Sequence, residues 1–568
     1  MLAHKHITKI VAAVMAAAVC LCLCAVAFSG QLTAWAGGKG IAQEYETALF
    51  DTSSILSVNI QMDEADWNDM LENAMAETYY QCNVEVNGTM FYQVGIRPKG
   101  NTSLSAIAND DTTDRYSFKL EFDHYVDGQT CFGLDKLVLN NNYADATNMK
   151  EALIYDMYQY LGADASLYNY AKISVNGEYW GVYLALEGVE DSFQLRNYGT
   201  ESGELYKPES MDMGGGKAQE RPDGMPEGTE KDFANGGPPD APNQTDTSNQ
   251  TDAAENAEPP GGMDRNSGGA DLNYTDDDLD SYETIWDGEV TKTNQADHER
   301  VVKALKNIAE GNDLETYMDI DNLLRYMAVH VFSVNEDSLS GMMAHNYYLY
   351  ESDGKLSLIP WDYNLALGGM GGMGGGMPGG SGETEERSEA TSVVNSPIDD
   401  AFSGTDFFDT LLENETYHSQ YDDYLQKLVS EYINGGGFDA FYERVRSQID
   451  ELVETDPTAF YSYDEYETAA ETLYQVVKLR GQSIQGQLDG TIPSTEEAQR
   501  DSDALVDASD LDLSVMGTMN MGGGNGAGGP GGPGGTGESD GAEPPQFGGN
   551  GQAPAKPQNT ENAEKTEQ

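Results

Sequence analysis

The chain is 568 residues long and carries 97 acidic against 31 basic side chains, a formal net charge of −66. So acidic a protein offers no basic surface to a phosphate backbone, which excludes nucleic acid as a partner and suits an exported soluble chain. The 63 glycines are clustered rather than spread, so they mark inserts and a tail, while the remainder has the aliphatic and aromatic content of a folded core.

Lys5 and Lys9 precede an apolar run from Ile10 to Phe28, and Ala34-Trp35-Ala36 supplies small residues where a signal peptidase reads. Residues 1–36 therefore read as a signal peptide or, because the run is long enough to span a bilayer, as an uncleaved membrane anchor. Cys20, Cys22 and Cys24 lie within this run, and it continues past each of them, which disfavours a lipoprotein. Cys82 and Cys131 remain in the mature chain. They allow one disulfide in an oxidising compartment and are too few and too far apart for a zinc site.

A domain from about residue 50 to 490 follows. "TYYQCNVEVNGTMFYQVGIRPKG" alternates on either side of Asn87-Gly88, and "YAKISVNGEYWGVYLALEG" does the same around Asn176-Gly177, so both predict β-hairpins. Between them, Met149, Ala152, Leu153, Tyr155 and Met157 recur near helical spacing, with Gly162 as the stop. Residues 211–272, 368–392 and 514–568 are rich in Gly, Pro, Met or polar side chains and bury too little apolar surface to offset their ordering entropy. They read as disordered inserts and an acidic, glycine-rich tail. Beyond the first insert the chain turns helical in "HERVVKALKNIAEG" and "DIDNLLRYMAVHVFSVN". Two short strands and further helices to about Gln487 complete it. The fold class is α+β, a sheet-rich first lobe and a helical second lobe with a cleft between them.

That cleft would hold the parts of a phosphoryl-transfer site. "RPKGNTS", Arg97 to Ser103, joins a strand end to a small cationic turn whose amides suit phosphates. Lys119, in "YSFKLEFD", projects from the opposite strand face to Phe118 and Leu120. Asp337 and Asn346 fall in the loop after a helix, and Asp362 closes the strand "KLSLIPW". A carboxylate beside the nucleophile, with an Asn and a second carboxylate on a metal, is the set used when a magnesium-bound nucleotide donates its terminal phosphoryl group. Arg97 and Lys99 also read as an ordinary solvated turn. Glu187 and Asp191, in "ALEGVEDSF", read as a surface loop and helix cap or as groups beside the nucleotide. His330 and His345 are expected to be packed or hydrogen-bonded rather than catalytic. "TDDDLDSYETIWD" spaces Asp276, Asp278 and Asp280 like a calcium loop but has Ser281 where Gly is needed and Asp287 where Glu is needed, so a solvated acidic connector is expected.

In this order, "GIRPKGNTS", "FKLEFD", "YWGVYLALEGVEDSF", "ELYKPE", "HVFSVNEDS", "HNYYLY" and "LIPWDYN" resemble the spore-coat protein H (CotH) kinase family, over most of the chain from about Ile55 to Asn434. The resemblance implies a divergent bilobal protein-kinase-like fold. Its activity would be ATP- and magnesium- or manganese-dependent phosphorylation of exported or cell-surface proteins, typically on serine, the chain itself among them. It implies Asp337 as the catalytic-loop aspartate, Asn346 and Asp362 as metal ligands, and Lys119 as the phosphate-pairing lysine, with Lys207 in "GELYKPES" as its rival. Glu151 would stand where other kinases pair a glutamate with that lysine, and Asn364 stands where the family often has a second acid. The rival class is a non-catalytic surface adhesin or spore-coat scaffold on the same fold. The expected location is secreted or cell-surface, with the N-terminal segment as the tether if it is retained.

Overall fold

The computed structural model describes residues 40–200, 202–209, 268–341, 344–370, 387–402 and 404–519. The N-terminal segment, most of both inserts and the tail past residue 519 lie outside the described residues.

Seven strands form the first half: β1 (Leu56–Gln61), β2 (Tyr80–Val86), β3 (Thr89–Lys99), β4 (Ser117–Glu121), β5 (Lys136–Asn140), β6 (Tyr168–Val175) and β7 (Glu178–Glu187). Their order is β1-β2-β3-β4-β5-β7-β6, and β1 returns to β6 in parallel register to close a barrel. The remaining pairs are antiparallel, and the two expected hairpins turn through Asn87-Gly88 and Asn176-Gly177. Alternation supplies the interior: Val58, Ile60, Val84, Val94, Ile96, Phe118, Leu120, Leu137, Leu139 and Ile173 are all buried. Cys82 and Cys131 are both buried with unbridged thiols, so the allowed disulfide is not formed.

Helices α1 (Glu64–Glu72) and α2 (Thr102–Ala108) flank the barrel, and α3 (Lys150–Leu161) follows β5. Gly162 ends α3 in a left-handed cap, as its place after the periodic run predicts. Helix α4 (Asp191–Tyr198) follows β7. A second sheet of order β10-β9-β8 joins β8 (Glu204–Tyr206) to β9 (Tyr347–Ser352) and β10 (Lys355–Pro360). Helices α5 (Gln295–Ala309) and α6 (Ile320–Ser333) pack on β10, α7 (Glu415–Lys427) packs on α6, α8 (Gly437–Glu454) packs on β7 of the barrel, and α9 (Tyr463–Leu488) packs against α6, α7 and α8. The molecule is thus a mixed α+β protein, sheet-rich first and helical afterwards.

The edges of the inserts are part of the core. Ala270 and Leu272 are buried, and the Ala270 carbonyl accepts from Tyr347 Oη at 2.6 Å. Glu389–Val394 is a short helix with Ala390 and Val394 buried, and Met516 is buried beyond the expected domain end. In each case a few apolar side chains next to a glycine-rich run are enough to fasten it. The acidic connector is solvated as expected: Asp277 pairs with Lys306 at 2.8 Å, and the carboxylates of Asp276, Asp278 and Asp280 do not converge.

A buried ion pair ties the barrel to the segment after α8. Arg115 donates to Asp456 Oδ2 at 2.8 Å, to Thr458 Oγ1 at 2.7 Å and to the Asn141 and Val182 carbonyls, while its guanidinium lies 4.6 Å from the Tyr183 ring centre. Removing one member of such a pair strands a buried charge. Asp456→Ala is expected to lower stability by about 3–5 kcal/mol in urea denaturation; a loss below about 1 kcal/mol, typical of an exposed pair, would show that the pair does not tie the two together.

Candidate active site

The end of β3, the end of β5, the first turn of α3 and the segment after β10 converge on a cavity of about 350 Å³. Arg97 and Lys99 stand two residues apart on β3, so the pleat sends both toward it. Lys99 Nζ donates to Asn140 Oδ1 at 3.0 Å, and Asn140 Nδ2 donates to Glu151 Oε2 at 2.8 Å. Glu151 Oε1 is buried without a well-formed hydrogen bond, though the Tyr363 amide lies near the carboxyl. The Lys99 ammonium also sits 5.6 Å from the Trp361 ring centre.

Electrostatics follow from burial. Desolvation raises the Asp362 carboxyl above the usual range; Lys99 opposes this and Asp337 reinforces it. Burial and then the Asp362 charge push Glu151 up to about 8. Lys99 is lowered by burial, with Asp362 pulling the other way. Lys207 lines the same cavity and pairs with Glu209; burial works against its charge, but Glu209 outweighs it and the ammonium titrates above its ordinary range. Arg97 pairs with Glu77 and lies 5.5 Å from the Tyr79 ring centre.

Across the cavity, both Asp337 oxygens are engaged. Asn346 Nδ2 donates to Oδ2 at 3.0 Å and to the Asp337 carbonyl at 2.8 Å, and His345 Nε2 hydrogen-bonds Oδ1. Asn335 ties the Asp337 loop to the Asp362 loop, donating to the Asp362 carbonyl at 3.2 Å while its own carbonyl accepts from Ser338 Oγ at 2.6 Å. Asn346 and Asp362 both hold left-handed backbone, φ 59° and 60°, a conformation non-glycine residues keep only where surroundings enforce it. Behind the loops, buried His330 contacts Tyr363 Oη at 2.9 Å through Nδ1 and Ser340 Oγ at 2.7 Å through Nε2, and Tyr363 meets Tyr158 Oη at 2.6 Å. Burial pushes His330 down to about 3, so it is a neutral bracket, as its expected packed role requires.

Arg97, Lys99, Lys207, Asp337, Asn346 and Asp362 thus line one cavity, joined by Glu151 and Asn364, the latter donating to the Tyr143 carbonyl at 2.9 Å. Lys119 and Glu187 do not line it. Lys119 stands opposite Arg97 in the β3–β4 register but is drawn to Glu190 Oε1 at 2.7 Å, where Lys136 engages the other oxygen. Against its burial, those two lysines hold Glu190 below the usual carboxylate range. Glu187 is neither a surface residue nor beside the cavity: fully buried, it accepts from Arg196 at 2.6 and 2.9 Å, from Tyr45 Oη at 2.6 Å and from the Leu167 amide at 3.0 Å. Glu151 is linked through Asn140 to Lys99 rather than to Lys119. Asn140 is a member of the site that motif reading passed over, whereas His345, expected to be packed or hydrogen-bonded, is held by Asp337. The run Asn140-Asn141-Asn142 closing an apolar strand was the signal available for Asn140.

Wild type carries a carboxyl at 151 whose folded value lies above its unfolded one, so its contribution to stability is full below the unfolded value and is lost as pH rises through about 8. Glu151→Gln does not ionise. Its stability relative to wild type should therefore improve between pH 5 and pH 8.5 in denaturant melts, and a difference that stays flat with pH would remove the assigned shift.

A search of the curated proteins finds no match to the chain. The family profile described as CotH kinase protein matches residues 96–484, which spans the barrel strands from the end of β3 onward, the Asp337 and Asp362 loops and most of α9. That match covers more than half the chain and takes in Arg97, Lys99, Glu151, Lys207, Asp337, Asn346, Asp362 and Asn364 of the cavity, so the chain belongs to the CotH kinase protein family and is kinase-like in function.

Proposed function

We propose that this protein transfers the terminal phosphoryl group of ATP to a serine hydroxyl of exported or cell-surface proteins, using magnesium or manganese. The observation that carries the reading is the meeting, in one cavity, of three cations from β3 and the β8 end with the Asp337, Asn346 and Asp362 set. Among the described residues no helix is long and apolar enough to cross a membrane. Secretion or surface tethering is proposed from the N-terminal segment, beside the family's spore-coat association.

The donor set suits a hard divalent cation, since Asp362, Asn346 and the under-satisfied Glu151 offer oxygen only. Asp362 and Asn346 would hold the ion, which when bound neutralises charge on the phosphates. Lys99 and Lys207, with Arg97 beside them, line the cavity and would take the phosphate-pairing role that the resemblance gave to Lys119. Asp337 orients the serine hydroxyl and accepts its proton as the serine oxygen bonds to the terminal phosphorus and the bond to the ADP oxygen breaks. Its two oxygens are held by His345 and Asn346, which fixes the carboxylate before the hydroxyl arrives.

Asp362→Ala is expected to weaken metal-dependent ATP binding in calorimetry, whereas Asp337→Asn should keep ATP affinity within a few-fold while transfer falls by orders of magnitude. ATP binding in wild type that ignores the metal would instead favour a non-catalytic adhesin or coat scaffold. A second contrast separates the lysines. Lys99→Met should reduce ATP affinity and turnover far more than Lys119→Met, measured side by side; equal losses would return Lys119 to the site.

A further inference from the structure

The family match ends at residue 484, but the described chain continues to Met519 and returns to the cavity. Leu513–Met516 forms a short 3-10 turn capped by Asp512, whose Oδ1 accepts from the Ser514 amide at 3.0 Å. Leu513 and Met516 are buried. On one side, the Met516 carbonyl accepts from the Ala146 amide at 3.0 Å, and the Gly517 carbonyl accepts from Lys150 Nζ at 3.0 Å. On the other, the Met519 amide donates to the Gly369 carbonyl at 2.8 Å. The Met519 residue itself lines the cavity.

Both sides of this strap bear on the site. Lys150 precedes Glu151 in the first turn of α3 and is fully buried, its backbone amide donating to Asp145 Oδ2 at 3.0 Å. A buried ammonium needs such partners, and the strap carbonyl is one of them. The loop leading into α3 holds Asn142, Ala144 and Asn148 in left-handed backbone, a shape that needs external support. Gly517 sits against it at φ +85°, and a Cβ there would lie 2.6 Å from the Ala144 carbonyl oxygen. The segment after Asp362 is approached as closely, since a Cβ on Gly368 would lie 2.9 Å from Leu513 Cδ1.

We propose that Leu513–Met519 is a positioning element of the catalytic site. It fixes the first turn of α3, and with it Glu151, against the segment that follows Asp362, and Met519 completes the cavity wall. This rests on the kinase reading only for its effect on turnover. Transfer would therefore require a C-terminal segment beyond the family's matched region.

Two full-length variants test it, Gly517→Ala, which meets backbone at a left-handed position, and Lys150→Met, which removes the buried ammonium. Hydrogen exchange is expected to quicken by about tenfold or more at residues 146–153 and 363–369 while α8 and α9 keep their protection. Turnover should fall by about tenfold to a hundredfold, in kcat more than in the KM for metal-bound ATP, as for a site displaced by about 1 Å. Faster exchange confined to the strap, uniform loosening of the whole chain in both variants, or unchanged turnover would overturn the proposal. If wild type shows no transfer at all, the kinase reading fails, and the exchange pattern alone decides whether the strap sets the site.

Discussion

Two carboxyl groups, Asp362 and Glu151, share one cavity with the Lys99 ammonium, and the fold is arranged to keep them there. Each is costly alone, because taking a charge out of water is repaid only by close partners and hydrogen bonds. Here the repayment is partial. Asn140 bridges Lys99 and Glu151, yet Glu151 Oε1 lacks a well-formed bond and both carboxyls titrate high. The three residues come from β3, from α3 and from the segment after β10, so no local stretch can make this arrangement. Such incomplete satisfaction is the usual mark of a site built for something it binds.

The loops that present the acids have little regular structure of their own, and their shape comes from buried brackets. His330 joins Tyr363, beside Asp362, to Ser340, in the Asp337 loop, and Tyr158 extends the chain of hydroxyls to α3. Helix α6 carries His330, and its end is fixed in turn by Arg480 of α9, fully buried, which donates to the carbonyls of Val331, Val394 and Ser396 at 2.8, 3.2 and 2.6 Å. Burial pulls the Arg480 guanidinium down to about 9, still charged at neutral pH. Distant helices therefore reach the acids through two steps of hydrogen bonding. These bonds brace the segment in which Asp362 keeps its left-handed backbone, while Asn346 is held by its two bonds to Asp337.

Periodicity made the elements legible. The two Asn-Gly hairpins, the α3 run ending at Gly162 and the helices α5, α6, α7 and α9 lie where alternation or helical spacing puts them. Asp337 and Asp362 were legible as candidates because loop acids after a helix and after a buried strand have few structural reasons to exist, and the amide of Asn346 was legible in the same helix-exit loop as Asp337. Barrel closure was not, since the β1–β6 pairing joins strands more than a hundred residues apart and leaves no local trace. Nor was the choice of lysine. Arg97, Lys99 and Lys119 all belong to one pair of strands, and only the position of Glu190, set by the following loop, decides that Lys119 turns away. Glu187 misled for a similar reason: a glutamate at a strand end reads as exposed, and its burial depends on Arg196 and Tyr45 arriving from elsewhere.

The charge distribution constrains the chemistry further. With 97 acidic and 31 basic side chains, the protein's general field repels a nucleotide, yet Arg97, Lys99 and Lys207 are gathered in the one cavity. Two of them are already answered by acids, Arg97 by Glu77 and Lys207 by Glu209, so any anion entering the cavity would have to compete with existing pairs. Lys99 alone is bonded to a neutral amide, and burial lowers it. A polyanion entering here gains most from Lys99 and from whatever positive charge it brings with it. On the proposed reading, a divalent ion on the nucleotide would reduce the repulsion from the acidic surface and from Asp362 and Glu151 together, so a metal-bound nucleotide would meet less opposition here than a bare one.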